Sequence, residues 1–296
     1  MSKNVKIFTL RRRELMRYLL YNPLSGKENK PRTDAECYAV VANLPTELMD
    51  ITEIADLGEF FEKLDQSDDV VIFGGDGTLN KVANALSDRP VRNDIYYFPC
   101  GTGNDFARDI DANDAKEPVL ITDYVKELPT VTVNGKKSKF INGVGFGIDG
   151  YCCEVGDVLK GQHKNPNYTA IAIKGLLFHF KPVNATVTVD GQTYDFKKVW
   201  IAPTMFGRFY GGGMMPTPGQ DRSASDKKVS LMVFHKSGKL KTLAIFPSIF
   251  KGEHVKKKNN VTIFEGKSIT VTFNRPTPLQ IDGETVLGVS GYNVTV

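Results

Sequence analysis

Nowhere does the chain sustain an apolar run of the roughly 18 residues that crossing a bilayer as a helix requires. Its opening, MSKNVKIFTLRRRELMRYLL, interrupts its short apolar patches with Arg11, Arg12 and Arg13 and reaches no small-residue cleavage site, so no secretory signal is expected and the chain is placed in the cytoplasm. Cysteine is scarce. Cys37, Cys100, Cys152 and Cys153 show no C-x-x-C spacing, which fits idle or buried thiols in a reducing compartment. Four scattered histidines give no zinc pattern. A net charge of +4 over 296 residues is too mild for a dedicated nucleic-acid binder. Tandem repeats and low-complexity segments are absent. So is the G-x-x-x-x-G-K-[ST] loop of the common nucleotide-binding folds.

What is present reads as two halves, as the length suggests. The first half alternates strands and helices. RYLLYNP (17–23), DVVIF (69–73) and DIYYFP (94–99) read as strands. PTELMDITEIADLGEFFEKLD (45–65) has helical spacing, TLNKVANALS (78–87) places Leu79, Val82, Ala83 and Leu86 on one helix face, and NDFARDI (104–110) begins a short helix. Such alternation predicts a mostly parallel sheet. From about residue 130 the pattern turns to hairpins, with Asn134-Gly135 and Asp190-Gly191 suited to type I′ turns. VSLMVFH (229–235), KSITVTF (267–273) and TPLQIDGE (277–284) continue it, with helical pieces at 167–180 and 240–252. A sandwich or open barrel is expected there.

The stretch VVIFGGDGTLN (70–80) runs from a strand through glycines into a helix. In an open α/β sheet, ligands bind at the carboxyl ends of the strands. Gly74, Gly75 and Gly77 let backbone N–H groups approach a bulky anion, and the helix opening near Thr78 aims its positive end at the same place. Asp76 would repel a phosphate unless Mg²⁺ lay between them, and Mg²⁺ commonly takes one or two carboxylates together with phosphate oxygens. The pattern suits a nucleoside triphosphate. YNPLSG (21–26) and FPCGTGNDFAR (98–108) are two more strand-to-glycine turns, the latter offering Gly101, Thr102 and Asn104 to phosphate or ribose. GFGIDG (145–150) formally matches G-x-G-x-x-G, but it follows a hairpin and no acidic residue ends a strand about 20 residues on. Close packing of turns is the expected use of its glycines.

NPLSG, GGDGTLN, PCGTGNDFAR, NGVGFGIDG, YGGGMMPTP and IDGE occur in an order that resembles the diacylglycerol kinase-like lipid kinases, the soluble bacterial group that also includes the sphingosine and ceramide kinases. The likeness spans residues 17–285, and GTGNDFAR is its specific element. It implies an N-terminal ATP-binding α/β domain (1–130) and a C-terminal β-sandwich for the lipid (131–296), whose last strand returns to the first domain. It places Asn22, Ser25, Gly26, Gly74, Gly75, Asp76, Gly77, Thr78 and Thr102 around ATP, gives Asp76 a hold on Mg²⁺, and offers Asp282 or Glu284 as general base. The implied reaction moves the γ-phosphate of ATP to a hydroxyl of a membrane lipid, diacylglycerol first, in phospholipid biosynthesis at the cytoplasmic membrane surface. AIAIKGLLFHF (170–180), Phe206, Phe209 and Tyr210 are acyl-pocket candidates or ordinary core.

Lys251 and Lys256–Lys258, like Arg11–Arg13, are either solvated faces or contacts to an anionic membrane, at about 1 kcal/mol per basic residue near the surface. Exposed edges of a β-rich half leave room for a homodimer. Two departures from the family pattern stand out. An acidic, metal-binding loop after the glycine run is replaced by PTPGQDRSASDKKVSLMV, where Asp221 or Asp226 is the remaining metal-ligand candidate and Lys227 stands where glycine is usual. Fifteen residues precede Met16, either an extra basic arm relative to the family or a start assigned too early, with Met16 the natural one. The alternative readings are an NAD kinase, which shares GGDGT, and a nucleotide- or lipid-binding regulator that turns nothing over.

Overall fold

The computed structural model describes residues 15–26, 29–87 and 89–296. The basic arm and Arg11–Arg13 therefore lie outside the described residues, Leu15 apart. The first half runs β1 (Arg17–Tyr21), α1 (Lys30–Val41), β2 (Thr46–Asp50), α2 (Leu57–Lys63), β3 (Asp69–Gly74), α3 (Asp76–Ala85), β4 (Asp94–Pro99), α4 (Asp105–Asp109), β5 (Val119–Leu120) and α5 (Thr122–Lys126). Its sheet has the order β2-β1-β3-β4-β5, parallel except for β5. All six residues of β3 are buried, as a central strand covered on both faces requires. The strand order reverses between β1 and β3, and the loops following β1, β3 and β4 all leave from that edge of the sheet. This is the crevice where doubly wound sheets bind ligands.

Two elements differ from the sequence expectation. Helical spacing over 45–65 is realised only from Asp56, whose side chain caps α2 by accepting from the Glu59 N–H at 2.9 Å. The part before it is strand β2, held in register on β1 from Arg17↔Thr46 to Tyr21↔Asp50. Pairing with β1 overrides the local periodicity there. Helix α1 carries no apolar stripe, and only Pro31 and Ala35 of its residues are buried.

The second half runs β6 (Thr130–Val133), β7 (Lys136–Lys139), β8 (Gly143–Phe146), α6 (Ile148–Gly161), α7 (Tyr168–Lys174), a π-helical turn (Gly175–His179), β9 (Val183–Val189), β10 (Gln192–Val199), β11 (Thr204–Met205), β12 (Val229–Phe234), α8 (Lys239–Ile245), two 3₁₀ turns (Phe246–Lys251 and Glu253–Lys256), β13 (Val261–Gly266), β14 (Ser268–Ile281) and β15 (Glu284–Thr295). The strands form one ten-stranded sheet. Both Asn-Gly and Asp-Gly hairpins have positive φ at their two central residues, as type I′ turns demand (Asn134 49°, Gly135 77°; Asp190 46°, Gly191 85°). The last strand does not join the first sheet. It pairs with β14 and β6.

One hydrophobic core runs through both halves, joining Ile72, Leu79 and Phe106 to Val131, Phe146 and Phe273. A second core, containing Leu176, Trp200, Ile245 and Ile249, closes a helical lobe built from α6, α7, the π-helical turn and α8. In GFGIDG the glycine spaces are filled by protein: a Cβ on Gly150 would lie 2.0 Å from the Pro278 carbonyl oxygen, and one on Gly147 2.5 Å from that of Trp200. No dinucleotide approaches there.

Candidate active site

Three glycine loops meet at the carboxyl edge of the first sheet. A Cβ on Gly101 would stand 2.6 Å from the Gly75 Cα, and one on Gly75 would stand 3.2 Å from the Ser25 hydroxyl oxygen. These loops touch only because they lack side chains at the contact. Asn22 holds the first loop twice: its amide donates to the Thr78 hydroxyl at 2.8 Å, and its side-chain oxygen accepts from the Leu24 N–H at 3.0 Å. Gly26 lies against the Cys100 carbonyl. Around Gly77, by contrast, a Cβ would meet nothing within 4 Å. The Gly77 position therefore faces free space, in the first turn of α3, the end that carries the positive pole of the helix dipole.

Asp76 is the first residue of α3. Its carboxylate reaches across to α4, accepting from the Asp105 N–H at 3.0 Å and the Phe106 N–H at 2.8 Å. The Asn142 amide donates to it as well, at 2.9 Å. Asp76 thus caps α4, which lacks a side-chain cap of its own because Asn104 sits in the left-handed region at φ 50°. Asn104 instead donates to the Gly101 carbonyl at 3.0 Å, and its buried Oδ1 has no partner among the described residues.

Asp105 is a second carboxylate beside Asp76. It accepts from the Gly212 N–H at 2.7 Å and from Arg108 at 3.1 Å. Burial first, and the Asp76 charge second, raise its carboxyl to about 6. The glycine-rich loop 211–213 is thereby drawn to the site. Its neighbour Tyr210 donates its hydroxyl to buried Asp149 at 3.2 Å. Burial raises the Asp149 carboxyl to about 6 against the opposing hydrogen bonds.

Asp282 reaches the same junction from the other half. At the turn joining β14 to β15 its carboxylate accepts from the N–H groups of Ile141 (2.5 Å), Asn142 (2.9 Å) and Gly143 (2.9 Å), and from the Asn80 amide (2.8 Å). Burial raises its pKa, and these donors oppose the rise. Behind Asn142, the guanidinium of Arg222 donates to the Asn142 oxygen at 3.1 Å and pairs with Asp109, which also takes Arg208 at 2.8 Å. Arg222 and Asp109 are almost wholly buried.

The expected residues fall into three groups. Asn22, Ser25, Gly26, Gly74, Gly75, Asp76, Gly77, Thr78, Gly101, Thr102 and Asn104 all lie on the three loops or the helix starts they feed. Asp282 joins them through Asn142. Glu284 is exposed at the start of β15, and Asp226 is paired with Lys228 at the surface. Asp221 accepts from the Ser223 N–H in the same surface loop, and the Lys227 ammonium donates to the Arg222 carbonyl. No group of three or more His, Cys, Asp or Glu among the described residues is arranged to hold a metal ion. Asp105, Asn142, Asn80 and Arg222 were not anticipated.

A triphosphate fits the loops on two observations: the open space at Gly77, and the unpartnered Asn104 oxygen, which suits a ligand hydroxyl or amine. The Asp76–Asp105 pair fits a Mg²⁺ ion that completes its shell with phosphate and water, since Asp76 Oδ2 carries one hydrogen bond and retains a lone pair.

A family model described as the diacylglycerol kinase catalytic domain matches residues 17–133. One described as the YegS C-terminal NAD kinase beta sandwich-like domain matches residues 142–296. The chain is 27% identical over 278 residues to the diacylglycerol kinase of Mycobacterium tuberculosis (strain CDC 1551 / Oshkosh), covering 88% of this chain and 87% of that protein. The crystal structure of a diacylglycerol kinase from Bacillus anthracis str. Sterne superimposes with a TM-score of 0.61 at 19% identity, over 95% of this chain and 93% of that one. That likeness supports the fold.

Proposed function

This chain belongs to the diacylglycerol kinase family of lipid kinases, and we propose that it transfers the γ-phosphate of ATP to the free hydroxyl of diacylglycerol. The observation that carries this reading is the junction at Asn142, which ties Asp76, at the meeting point of the glycine loops, to the Asp282 turn. Phosphoryl transfer asks a protein mainly for positioning and for charge compensation, and little covalent chemistry.

The parts divide the work. The loops after β1, β3 and β4 and the opening of α3 receive the phosphates. Asp76 and Asp105 would hold Mg²⁺, which would neutralise charge on the phosphates. Asn142 fixes Asp76 relative to Asp282. In the Asp282–Gly283–Glu284 turn, Asp282 already accepts four hydrogen bonds and has no lone pair left for a substrate proton. Glu284 is exposed at the same turn. We assign Asp282 to fixing the turn and Glu284 to accepting the proton of the attacking hydroxyl, a contribution on the order of 10²–10⁴-fold. The lipid is met at the cytoplasmic face of a membrane. Among the described residues no helix is long and apolar enough to cross one.

The test is incubation with Mg²⁺, γ-labelled ATP and either a total lipid extract or NAD, with Asp76→Ala as control. Label in the organic phase that co-migrates with phosphatidic acid and vanishes with the variant is the expected result. Label on another lipid changes the substrate, and label on NAD alone overturns the reading.

A further inference from the structure

In the GFGIDG stretch (145–150) the glycines make room for a carboxylate. A Cβ on Gly145 would stand 1.6 Å from Asp149 Oδ2 and 2.5 Å from Gln280 Nε2. Those two side chains therefore meet in the space that Gly145 leaves on β8. Gly150 lets the first turn of α6 rest directly on β14, against the Pro278 carbonyl. Asp149, Gln280 and Tyr210 are all buried.

Burial is unfavourable for this carboxylate. It raises the Asp149 carboxyl to about 6, and Oδ1 has no partner among the described residues. Packing alone would be met at less cost by an apolar side chain. What the carboxylate adds is a set of polar links. Tyr210 donates its hydroxyl to Oδ2 at 3.2 Å. The Gln280 amide opposes the rise in pKa from its place beside the same carboxylate. The Gln280 oxygen in turn accepts from the Gly283 N–H at 2.6 Å. Gly283 is the middle residue of the Asp282–Gly283–Glu284 turn. The start of β15 is tied to α6 as well, since the Thr285 hydroxyl donates to Asp157 at 2.6 Å. The charge of Glu284 is felt at Cys153, one helical turn after Asp149. At the other end of the chain of contacts, Tyr210 adjoins the loop whose Gly212 N–H holds Asp105 at 2.7 Å.

We infer that Asp149 is a positioning residue: anchored by Tyr210, it orients the Gln280 amide so that the amide oxygen holds the Gly283 N–H, and so sets where the Glu284 carboxylate stands against α6. This tie is separate from the four bonds that hold Asp282. Its catalytic purpose rests on the lipid-kinase reading with Glu284 as base, but the tie itself is measurable without catalysis.

The experiment uses the full chain and the substitutions Asp149→Ala, Asp149→Asn and Gln280→Met, the last also combined with Glu284→Gln. Amide hydrogen exchange is read first. In Asp149→Ala and Gln280→Met the Gly283 amide should exchange about tenfold faster or more, while the β9–β10 hairpin keeps its wild-type rates. With Mg²⁺, ATP and diacylglycerol, both should lower kcat by about tenfold or more, with KM for ATP little changed. Asp149→Asn, whose oxygen can accept the same bonds, should recover most of what Asp149→Ala loses. It should also melt at or above the wild-type temperature at pH 8, where burial disfavours the ionised carboxyl that it replaces. In the Glu284→Gln background, Gln280→Met should cost less than about twofold further, because both act through one carboxylate.

Unchanged exchange at Gly283 overturns the inference, whatever the activity. So does an undiminished loss from Gln280→Met on top of Glu284→Gln, which would make Gln280 a support of the fold alone. A loosened Gly283 amide in the variants of a protein whose wild type phosphorylates no lipid would overturn the reaction and leave the tie standing.

Discussion

Asn142 donates its side-chain amide to Asp76 at 2.9 Å and its backbone N–H to Asp282, also at 2.9 Å. One residue therefore sets the distance between a carboxylate from the first sheet's α3 and one from the β14–β15 turn. Its amide cannot turn over without cost, because the oxygen is held by Arg222.

Replacing Asn142 by Ala should lower kcat by about 10²-fold, the penalty of a small misplacement at a reacting centre, with KM for ATP changed far less. Arg222→Met should show the same kinetic signature and in addition lose about 3–5 kcal/mol of stability, since Asp109 is left buried with Arg208 alone. Because both act through one amide, the double variant should lose less activity than the product of the singles. Additive losses would show that Arg222 acts on the fold only. Steady-state kinetics and denaturant melts on the three proteins decide.

How much of this was legible beforehand follows from sequence distance. The β3–GGDGT–α3 unit is local: a fully buried strand ends in glycines and opens an amphipathic helix. The two hairpin turns are local too. Helix α1 was missed because it buries only two residues and shows no stripe, and β2 because its partner lies on another strand. The polar junction was illegible for the same reason on a larger scale. Asn80 meets Asp282 across 202 positions, and Arg222 meets Asn142 across 80. Asp105 lay inside a recognised motif, and its charge next to an Asp76 reserved for metal was the available signal.

Gly101→Ala tests the contact between loops. The new Cβ would lie 2.6 Å from the Gly75 Cα and 2.8 Å from the Asn104 oxygen, a clash with backbone on one side that no rotamer change relieves. The loops after β3 and β4 must part. Nucleotide affinity should fall tenfold or more by calorimetry. The far face of the protein should be unaffected, as hydrogen exchange in β14 and β15 would report. Gly77→Ala meets open space and should cost much less in the fold.

Asp105 makes stability depend on pH, and its place beside Asp76 should make it depend on Mg²⁺ as well. Its folded pKa, raised to about 6 by burial and by Asp76, exceeds the ordinary carboxyl value. Its contribution is fully present below about pH 4 and is lost as pH rises through 6, a change of about 3 kcal/mol for two pKa units. Asp105→Asn should therefore stabilise the metal-free protein above pH 6, by about 2 kcal/mol once the weakened bonds to Gly212 and Arg108 are allowed for. Added Mg²⁺ should raise the melting temperature of the wild type at pH 8 and leave the variant nearly unchanged. An equal Mg²⁺ effect on both proteins would remove Asp105 from the metal site. Activity of the variant should be low in every condition.

The two acids of the β14–β15 turn should fail in different ways. Asp282→Asn puts an amide N–H₂ among three backbone N–H groups and Asn80, so donors face donors. A loss on the order of 3 kcal/mol is expected, with a drop in activity that follows the loosened turn. Glu284 is exposed, so Glu284→Gln should melt at the wild-type temperature. Its kcat should nevertheless fall by about 10²–10⁴-fold. The opposite pattern, a folded but inactive Asp282→Asn beside an active Glu284→Gln, would exchange the two roles. It would also mean that the hydrogen bonds around Asp282 rearrange when substrate arrives, since all four of its lone pairs are otherwise taken.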